Sequence, residues 1–358
     1  MTKIQGVPHL GDGVRLHLNE NTAGCSQAVV EAVHRFDARA LATYPDYRAA
    51  VTETATFLSV DPEWLVLTNG LDEGVLLAAI GYLGARAPEA LVKEGASFVV
   101  GSGQCEVVVA APAFETYVST AKALGARVVT VPPGPGFAFP LDGVLKAIGP
   151  NTRLVYINNP NNPSGQPVSK DAIRAVVRAA GHALVFIDEA YHDFMGDNFL
   201  EEGLTYPNVL IGRTFSKVHG LAGMRIGVMI AQPALLDPIR FVMPLFNLNV
   251  VAVAALRAAL QDHDFTPWYL NQVAESKQLL YDALDRADLR YWQSAANFVL
   301  VDGSDRHREL VDGLIARGVL VRDRSKDPAT PNCFRITTGV VEHTHEAVKA
   351  LGELCGAR

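Results

Sequence analysis

Residues 154–194 read LVYINNPNNPSGQPVSKDAIRAVVRAAGHALVFIDEAYHDF and decide the fold class. The runs 154–158 and 183–187 are short, apolar and rich in β-formers, whereas the apolar residues of 170–180 recur with helical spacing. A strand, a helix and a second strand in this order form a crossover between parallel neighbours. The stretch therefore predicts a buried parallel sheet that is covered by helices.

The same alternation continues in both directions. Before this stretch we expect helices at 51–58 and 72–83 and strands at 107–110 and 127–131. After it we expect strands at 209–211 and 226–230. After residue 244 the pattern changes to one long helical region, 250–284, and then to short strands and helices at 298–301, 308–317, 319–322, 334–337 and from 345 onwards. We predict an α/β fold with a mostly parallel central sheet and helices on both faces, plus a smaller α+β domain. The large domain is expected at 40–245 and the small domain at 1–39 and 246–358.

Composition narrows the class of protein. The chain has 358 residues, of which 49% are apolar and 19% charged, with a formal net charge of -7. No long run of Lys or Arg occurs, so neither a nucleic acid nor a membrane is an expected partner. The four cysteines form no CxxC pair, so no metal site is expected, and their scatter fits a reducing compartment. With no apolar signal-like segment at the start, a cytoplasmic location is expected.

One lysine lies in a segment suited to cofactor chemistry. Residues 213–227 read RTFSKVHGLAGMRIG, with Lys217 in a turn after an apolar strand. An amine is the group that forms an imine with a carbonyl cofactor, and Ser216 and Arg225 could bind an attached phosphate. A surface lysine in an ordinary loop is the alternative.

An acidic residue ends the strand at 183–187. Asp188 follows that strand at the carboxyl edge of the sheet, where α/β proteins bind ligands. A buried carboxylate needs a cation, such as a protonated ring nitrogen, and Tyr191 could donate to a ring oxygen. A strand-end cap or a Walker-B-like aspartate is the alternative, although no GxxxxGK[ST] motif accompanies it.

Two further segments could face the same ligand. The run 158–165, NNPNNPSG, concentrates asparagine amides directly after a strand, although it could be an ordinary turn. The segment 68–74, TNGLDEG, begins a helix and could bind an anion through free backbone N–H groups. The same residues also make a simple helix cap.

Together these segments resemble the fold-type-I, pyridoxal-phosphate (PLP) dependent aminotransferases of class I/II, and in particular the histidinol-phosphate aminotransferases. The motifs LNEN at 18–21, YPD at 44–46, VLVRDRS at 319–325 and CFRITTG at 333–339 carry the likeness over nearly the whole chain. The resemblance implies ping-pong transamination between histidinol phosphate and 2-oxoglutarate in histidine biosynthesis. It also implies a homodimer with shared active sites.

The resemblance assigns roles to individual residues. Lys217 would carry PLP as an aldimine, with Asp188 and Tyr191 as the other catalytic residues. The cofactor would also be held by Gly70, Leu71, Asp72, Phe114, Asn162, Ser216, Arg225 and a partner subunit's Tyr44. The substrate would be bound by Arg335, Arg322, Asn297 and Asn21.

Three other functions stay open at this point: an aromatic or other amino-acid aminotransferase, a PLP decarboxylase of the same fold, and a non-catalytic PLP-binding protein. The chain departs from the family at Thr22 and Ala23, and at Phe114, which lacks the usual tyrosine hydroxyl but keeps a stacking face. Residues 86–106 form a longer link than is usual, either a surface excursion or an addition near the site.

Overall fold

A computed structural model describes residues 13–84 and 105–356. Thirteen strands lie within these residues: β1 Val14–Arg15, β2 Leu65–Thr68, β3 Glu106–Ala110, β4 Arg127–Val131, β5 Thr152–Asn158, β6 Leu184–Asp188, β7 Val209–Thr214, β8 Gly227–Ile230, β9 Arg290–Trp292, β10 Phe298–Asp302, β11 Val319–Leu320, β12 Arg322–Asp323 and β13 Cys333–Thr337.

The described residues also form fourteen α-helices. They are α1 Gln27–His34, α2 Ala38–Leu41, α3 Arg48–Leu58, α4 Gly70–Leu83, α5 Glu115–Ala123, α6 Leu141–Ala147, α7 Lys170–Ala179, α8 His192–Met195, α9 Leu200–Gly203, α10 Pro233–Val242, α11 Val250–Gln261, α12 Phe265–Arg286, α13 His307–Ala316 and α14 Val341–Cys355.

A seven-stranded sheet forms the centre of the molecule, in the order β2-β8-β7-β6-β5-β3-β4. The pairs from β7 to β4 are parallel, and both pairs of β8 are antiparallel. The α/β fold with a mostly parallel sheet is therefore confirmed. Because β5, β6 and β7 run side by side in one direction, their carboxyl ends meet at one edge, which is where the candidate site lies.

Apolar side chains cover both faces of this sheet. Successive residues of β5 alternate between the two layers: Val155 and Ile157 belong to one buried cluster, and Leu154 and Tyr156 to the other. Helix α7 packs on the first face, where Ile173 is fully buried, and α4 packs on the second. The burial of both faces explains why the strands read as continuous apolar runs.

A second layer is built from the C-terminal part of the chain. Strands β12-β13-β10-β9 form an antiparallel sheet, and β1 pairs with β11 in parallel. Its core includes Leu280, Leu310, Phe334 and Leu351, from three helices and one strand. The two N-terminal and C-terminal portions of the expected small domain thus meet here through β1 and β11.

Helices α1 and α11 lie on the other side of the expected domain division. Val29 of α1 and Ala252, Leu256 and Leu260 of α11 are buried in the same cluster as the central sheet. The helical region expected at 250–284 is two helices, since residues 262–264 separate α11 from α12. None of the described helices is long and apolar enough to cross a membrane.

Candidate active site

A pocket opens between the central sheet and the second layer. Eleven residues line it: Leu18, Asn19, Ala113, Phe114, Glu115, Asn162, Tyr191, Lys217, Arg322, Arg324 and Arg335. Asn162 and Tyr191 of this lining follow β5 and β6, whose last residues, Asn158 and Asp188, are register partners. The pocket thus brings together residues from both ends of the described chain, from Leu18 to Arg335.

Lys217 reaches the pocket from the turn that follows β7. Its Nζ lies 3.4 Å from the carbonyl oxygen of Leu18 and 5.6 Å from the centroid of the Tyr191 ring. The turn is closed by a hydrogen bond from the Gly220 N–H to the Lys217 carbonyl oxygen, and Gly220 has a φ of +71°. Among the described residues the amine makes one long hydrogen bond, so it can change partners when a ligand enters.

Asp188 lies at the end of β6 and is only 4% exposed. One carboxylate oxygen accepts a hydrogen bond from the Ala190 N–H at 2.9 Å, and the other accepts one from the Tyr117 hydroxyl. Burial raises the pKa of Asp188 to about 6, although these two hydrogen bonds and nearby Lys217 act in the opposite direction. An ionised carboxylate in this position favours a cationic partner.

Tyr191 connects the sheet edge to the N-terminal segment. Its hydroxyl oxygen accepts hydrogen bonds from the side-chain amides of Asn19, at 2.9 Å, and Asn162, at 3.5 Å. Its ring packs edge-on against Phe298. With two amide donors on its oxygen, the hydroxyl keeps its proton free to donate to a ligand oxygen.

A cradle for an anion lies at the start of α4. Gly70 has a φ of +77°, and a Cβ atom there would collide with Nη2 of Arg225. That guanidinium donates to the Asp72 carboxylate at 2.8 Å. Ser216 Oγ is buried without a hydrogen-bond partner among the described residues. An orphaned hydroxyl, a guanidinium and the first-turn N–H groups of an α-helix are suitable donors for a phosphate.

Arg335 is a buried cation without an anionic partner in the described structure. Its side chain donates to the side-chain oxygen of Asn162 and, at 3.0 Å, to the carbonyl oxygen of His17. Nε has no partner among the described residues, and burial lowers the pKa of Arg335 to about 10. Burying a guanidinium against neutral groups costs free energy, which an anionic ligand would recover.

Residues 16–21 form a crossing segment that runs between the two layers and contacts three site residues. His17 and Leu18 present carbonyl oxygens to Arg335 and Lys217, and Asn19 donates to Tyr191. Asn21 does not face the pocket, because its amide donates to the Val218 carbonyl oxygen and its oxygen accepts from Ala23 N–H.

Asn297 and Tyr44 also lie outside the pocket lining, as do Asp188, Ser216, Arg225 and residues 70–72. Asn297 is fully buried and donates to the Asn19 carbonyl oxygen at 3.3 Å, so it supports the crossing segment from behind. Tyr44 is 74% exposed and stacks on Phe246 at 4.1 Å between ring centroids. Phe114 and Arg322 do line the pocket, as expected, and residues 86–104 of the long link lie outside the described part of the chain.

Sequence reasoning missed four residues at the site: Asn19, Glu115, Tyr117 and Arg324. Arg324 lies two positions after Arg322, so a period of two in this extended segment could have revealed that both reach one face. It pairs with Glu115 at 3.2 Å and Asp327 at 3.3 Å. No comparable sequence signal marks Tyr117, whose contact with Asp188 depends on how α5 packs against β3 and β4.

The fold and the site define a class: an enzyme with a lysine amine, a buried carboxylate and an anion cradle at one sheet edge, together with a second, arginine-rich anion pocket. The chain belongs to the family of aminotransferases of class I and II, which matches residues 11–351. It is thus a PLP-dependent aminotransferase. The orphaned Ser216 hydroxyl and the buried Asp188 fit that cofactor.

Relatives and solved structures agree with this assignment. The histidinol-phosphate aminotransferase of Bacillus velezensis is 34% identical and the alignment covers 95% of this chain and 91% of that one. That of Symbiobacterium thermophilum is 35% identical, over 97% and 92% of the two chains. The Sinorhizobium meliloti histidinol-phosphate aminotransferase, solved in complex with pyridoxal-5'-phosphate, superposes with a TM-score of 0.83 at 28% identity over 96% and 91%.

Proposed function

We propose that this aminotransferase exchanges an amino group between histidinol phosphate and 2-oxoglutarate, as a step of histidine biosynthesis. The observation that carries the proposal is Arg335, buried beside Lys217 and Tyr191 with no anionic partner described. Each of the two substrates brings an anion to such a position, a phosphate in one case and a carboxylate in the other. Relatives that are 33–35% identical over about 95% of the chain carry histidinol phosphate in their names.

Five site residues would surround the cofactor ring and its aldehyde. PLP, when bound, supplies an aldehyde and an electron-withdrawing ring. Lys217 would hold the cofactor through its amine and, once released, would carry the proton that leaves the substrate's α-carbon. Asp188 would keep the ring nitrogen protonated, and Tyr191 and Asn162 would bind the ring oxygen. Phe114 would stack on the ring face.

The remaining assignments concern the two anions. Ser216, Arg225 and the N–H groups of Gly70, Leu71 and Asp72 would hold the cofactor phosphate. Arg335 and Arg322 would hold the anionic end of either substrate, and Arg324 joins them because it lines the same pocket. Asn297 would act indirectly, through the crossing segment, and Asn21 through its bond to the residue after Lys217.

We further propose a homodimer and a cytoplasmic location. Leu41, Tyr44, Leu245 and Phe246 expose apolar side chains on one surface, and Leu41, Tyr44 and Phe246 line a cavity whose wall includes Asn69. A patch of this kind fits coverage by a second copy, and Asn69 adjoins the phosphate cradle. Tyr44 of the partner subunit would then approach the cofactor phosphate. A monomeric mass in sedimentation equilibrium, together with full activity under the same conditions, would contradict this.

The sequence predicts a large domain at 40–245 and a small domain at 1–39 and 246–358, and we propose this division with one change, which assigns helices α1 and α11 to the large domain. Helices α1 and α11 would move with the large domain, since their apolar faces are buried against its sheet. Limited proteolysis should then leave 250–261 attached to the large-domain fragment.

The test of the substrate follows each half reaction by absorbance. The purified, PLP-loaded protein should convert to its pyridoxamine spectrum with glutamate and, separately, with histidinol phosphate. Histidinol without the phosphate is the matched control, and it should react far more weakly because nothing then neutralises Arg335. Equal rates with and without the phosphate, or a preference for an aromatic amino acid, would reject histidinol phosphate. Release of carbon dioxide from O-phosphothreonine would indicate a decarboxylase.

A further inference from the structure

Tyr117 is fully enclosed beneath the pocket and bonded to the carboxylate of Asp188. It is 1% exposed and lies in the first turn of α5, and its hydroxyl donates to Oδ2 of Asp188. Its ring stacks on that of Tyr156, with centroids 4.3 Å apart and planes 9° from parallel. The edge of Phe114, which lines the pocket, meets the same ring at 5.6 Å. These contacts fix the direction of the hydroxyl.

We propose that Tyr117 is a positioning residue that sets how strongly Asp188 attracts the proton of the cofactor's ring nitrogen. The inference rests on the proposed role of Asp188 as partner of that nitrogen. A carboxylate has about four acceptor positions on its two oxygens. Tyr117 and the Ala190 N–H occupy one on each oxygen, so each oxygen keeps a position for a ring N–H.

The Tyr117 hydroxyl affects how the proton is shared between Asp188 and the ring nitrogen, because its hydrogen bond favours the ionised carboxylate. Burial is the largest influence that raises the pKa of Asp188, and the Tyr117 hydrogen bond is the largest influence that lowers it. Loss of one hydrogen bond to a charged group shifts a pKa by on the order of one unit. Without the hydroxyl, Asp188 would compete better for the shared proton, and the ring nitrogen would lose part of its positive charge.

Tyr117 itself does not supply that proton. Burial, followed by the neighbouring Asp188 charge, raises its pKa well above the ordinary value, so the hydroxyl stays protonated and remains a donor. Its effect on the reaction is therefore indirect. The ring is an effective electron acceptor only while its nitrogen is protonated, so a weaker ion pair slows the removal of the α-proton.

The chain offers a matched control in Tyr156. This residue is also buried, is stacked on Tyr117, and has a hydroxyl that makes no hydrogen bond to Asp188 among the described contacts. Tyr117→Phe and Tyr156→Phe each remove one oxygen from the same aromatic stack. Only the first removes a donor from the carboxylate.

The experiment loads wild type and both variants with PLP labelled with ¹⁵N at the ring nitrogen and records its resonance. In Tyr117→Phe the resonance should move from the protonated towards the unprotonated position, whereas in Tyr156→Phe it should match wild type. The pH at which PLP affinity falls to half should rise by about one unit in Tyr117→Phe only. Tyr117→3-fluorotyrosine, a stronger donor, should shift both readouts in the opposite direction.

The outcomes separate this inference from the proposed function. Equal resonances and equal pH midpoints in all the variants would overturn the role of Tyr117. If Tyr117→Phe binds no PLP, the 3-fluorotyrosine variant decides, because a purely structural residue would give no shift. If wild type fails to bind PLP, or Lys217→Ala binds it with the same absorbance, the proposed site fails and not merely the positioning role.

Discussion

Replacing Asp188 by Asn should stabilise the cofactor-free protein while it impairs the loaded enzyme. The carboxyl group is buried, and its pKa is about 6 in the folded chain against roughly 3.9 in an unfolded one. A folded-state pKa that lies above the unfolded value means that the folded chain binds the proton more tightly. Stability therefore falls as pH rises from about 4 to about 6 and stays constant above that.

The size of the effect follows from the pKa difference. About two units at roughly 1.4 kcal/mol each give a cost of about 3 kcal/mol for keeping the carboxylate ionised above pH 6. An amide carries no charge, and its oxygen can still accept the Ala190 N–H. The hydrogen bonds of the amide are weaker than those of the carboxylate, which reduces the gain in stability by about 1 kcal/mol. Asp188→Asn should thus raise the free energy of unfolding by about 2 kcal/mol at pH 7.

Urea unfolding of the cofactor-free protein, at one protein concentration and at several pH values between 5 and 8, measures this difference. Asp142→Asn, at an exposed position on α6, is the control and should change stability little. The loaded Asp188→Asn enzyme should lose at least about a hundredfold in turnover. The reasoning would be refuted if Asp188→Asn had an unchanged or lower urea midpoint at pH 7 and its stability still fell with pH as in wild type.

Three further substitutions test the rest of the site. Lys217→Ala should abolish the visible band of the bound cofactor and lower turnover by about a thousandfold or more, while circular dichroism stays unchanged. Gly70→Ala should weaken PLP binding and cost at least 1–2 kcal/mol in urea unfolding, because alanine is strained at a φ of +77° and its Cβ would meet Arg225; an unchanged PLP affinity would argue against the cradle. Arg335→Met should raise KM for histidinol phosphate and for glutamate by about 10- to 100-fold without destabilising the protein, and an effect on only one substrate would show that the two anions bind at different places.

The sequence predicted the elements better than their directions. Periodicity identified β8, but it carries no information on orientation, and the antiparallel pairing of β8 with β7 and β2 comes from the chain path between them. The short strand β2 was not predicted. The helical region at 250–284 was predicted without the break at 262–264, although the polar run QDHD at 261–264 marks it.

The candidate site shows a similar division. Asp188 ends β6 and Lys217 lies in the turn after β7, so their meeting at one edge could be inferred from the sheet alone. Arg225 lies just before β8, so its place at that edge depends on the antiparallel direction of β8, which the sequence did not predict. The sequence could not show that Asn19, and not Asn21, faces the pocket. This depends on the left-handed φ of 55° at Asn19, which directs its side chain to Tyr191. Tyr117 contacts Asp188 across 71 residues of sequence, and a local pattern cannot predict such a contact.

The crossing segment also determines at what point during synthesis the active-site pocket can be completed. Residues 16–21 leave the ribosome early, yet Asn19 takes its place through Thr337, 318 residues later in the chain. The central sheet lacks the second layer until β13 has emerged, so a nascent chain can fold around β5 to β7 without a working pocket. A ribosome-bound chain that ends before residue 333 should therefore protect the sheet from protease while it leaves the N-terminal segment open to cleavage.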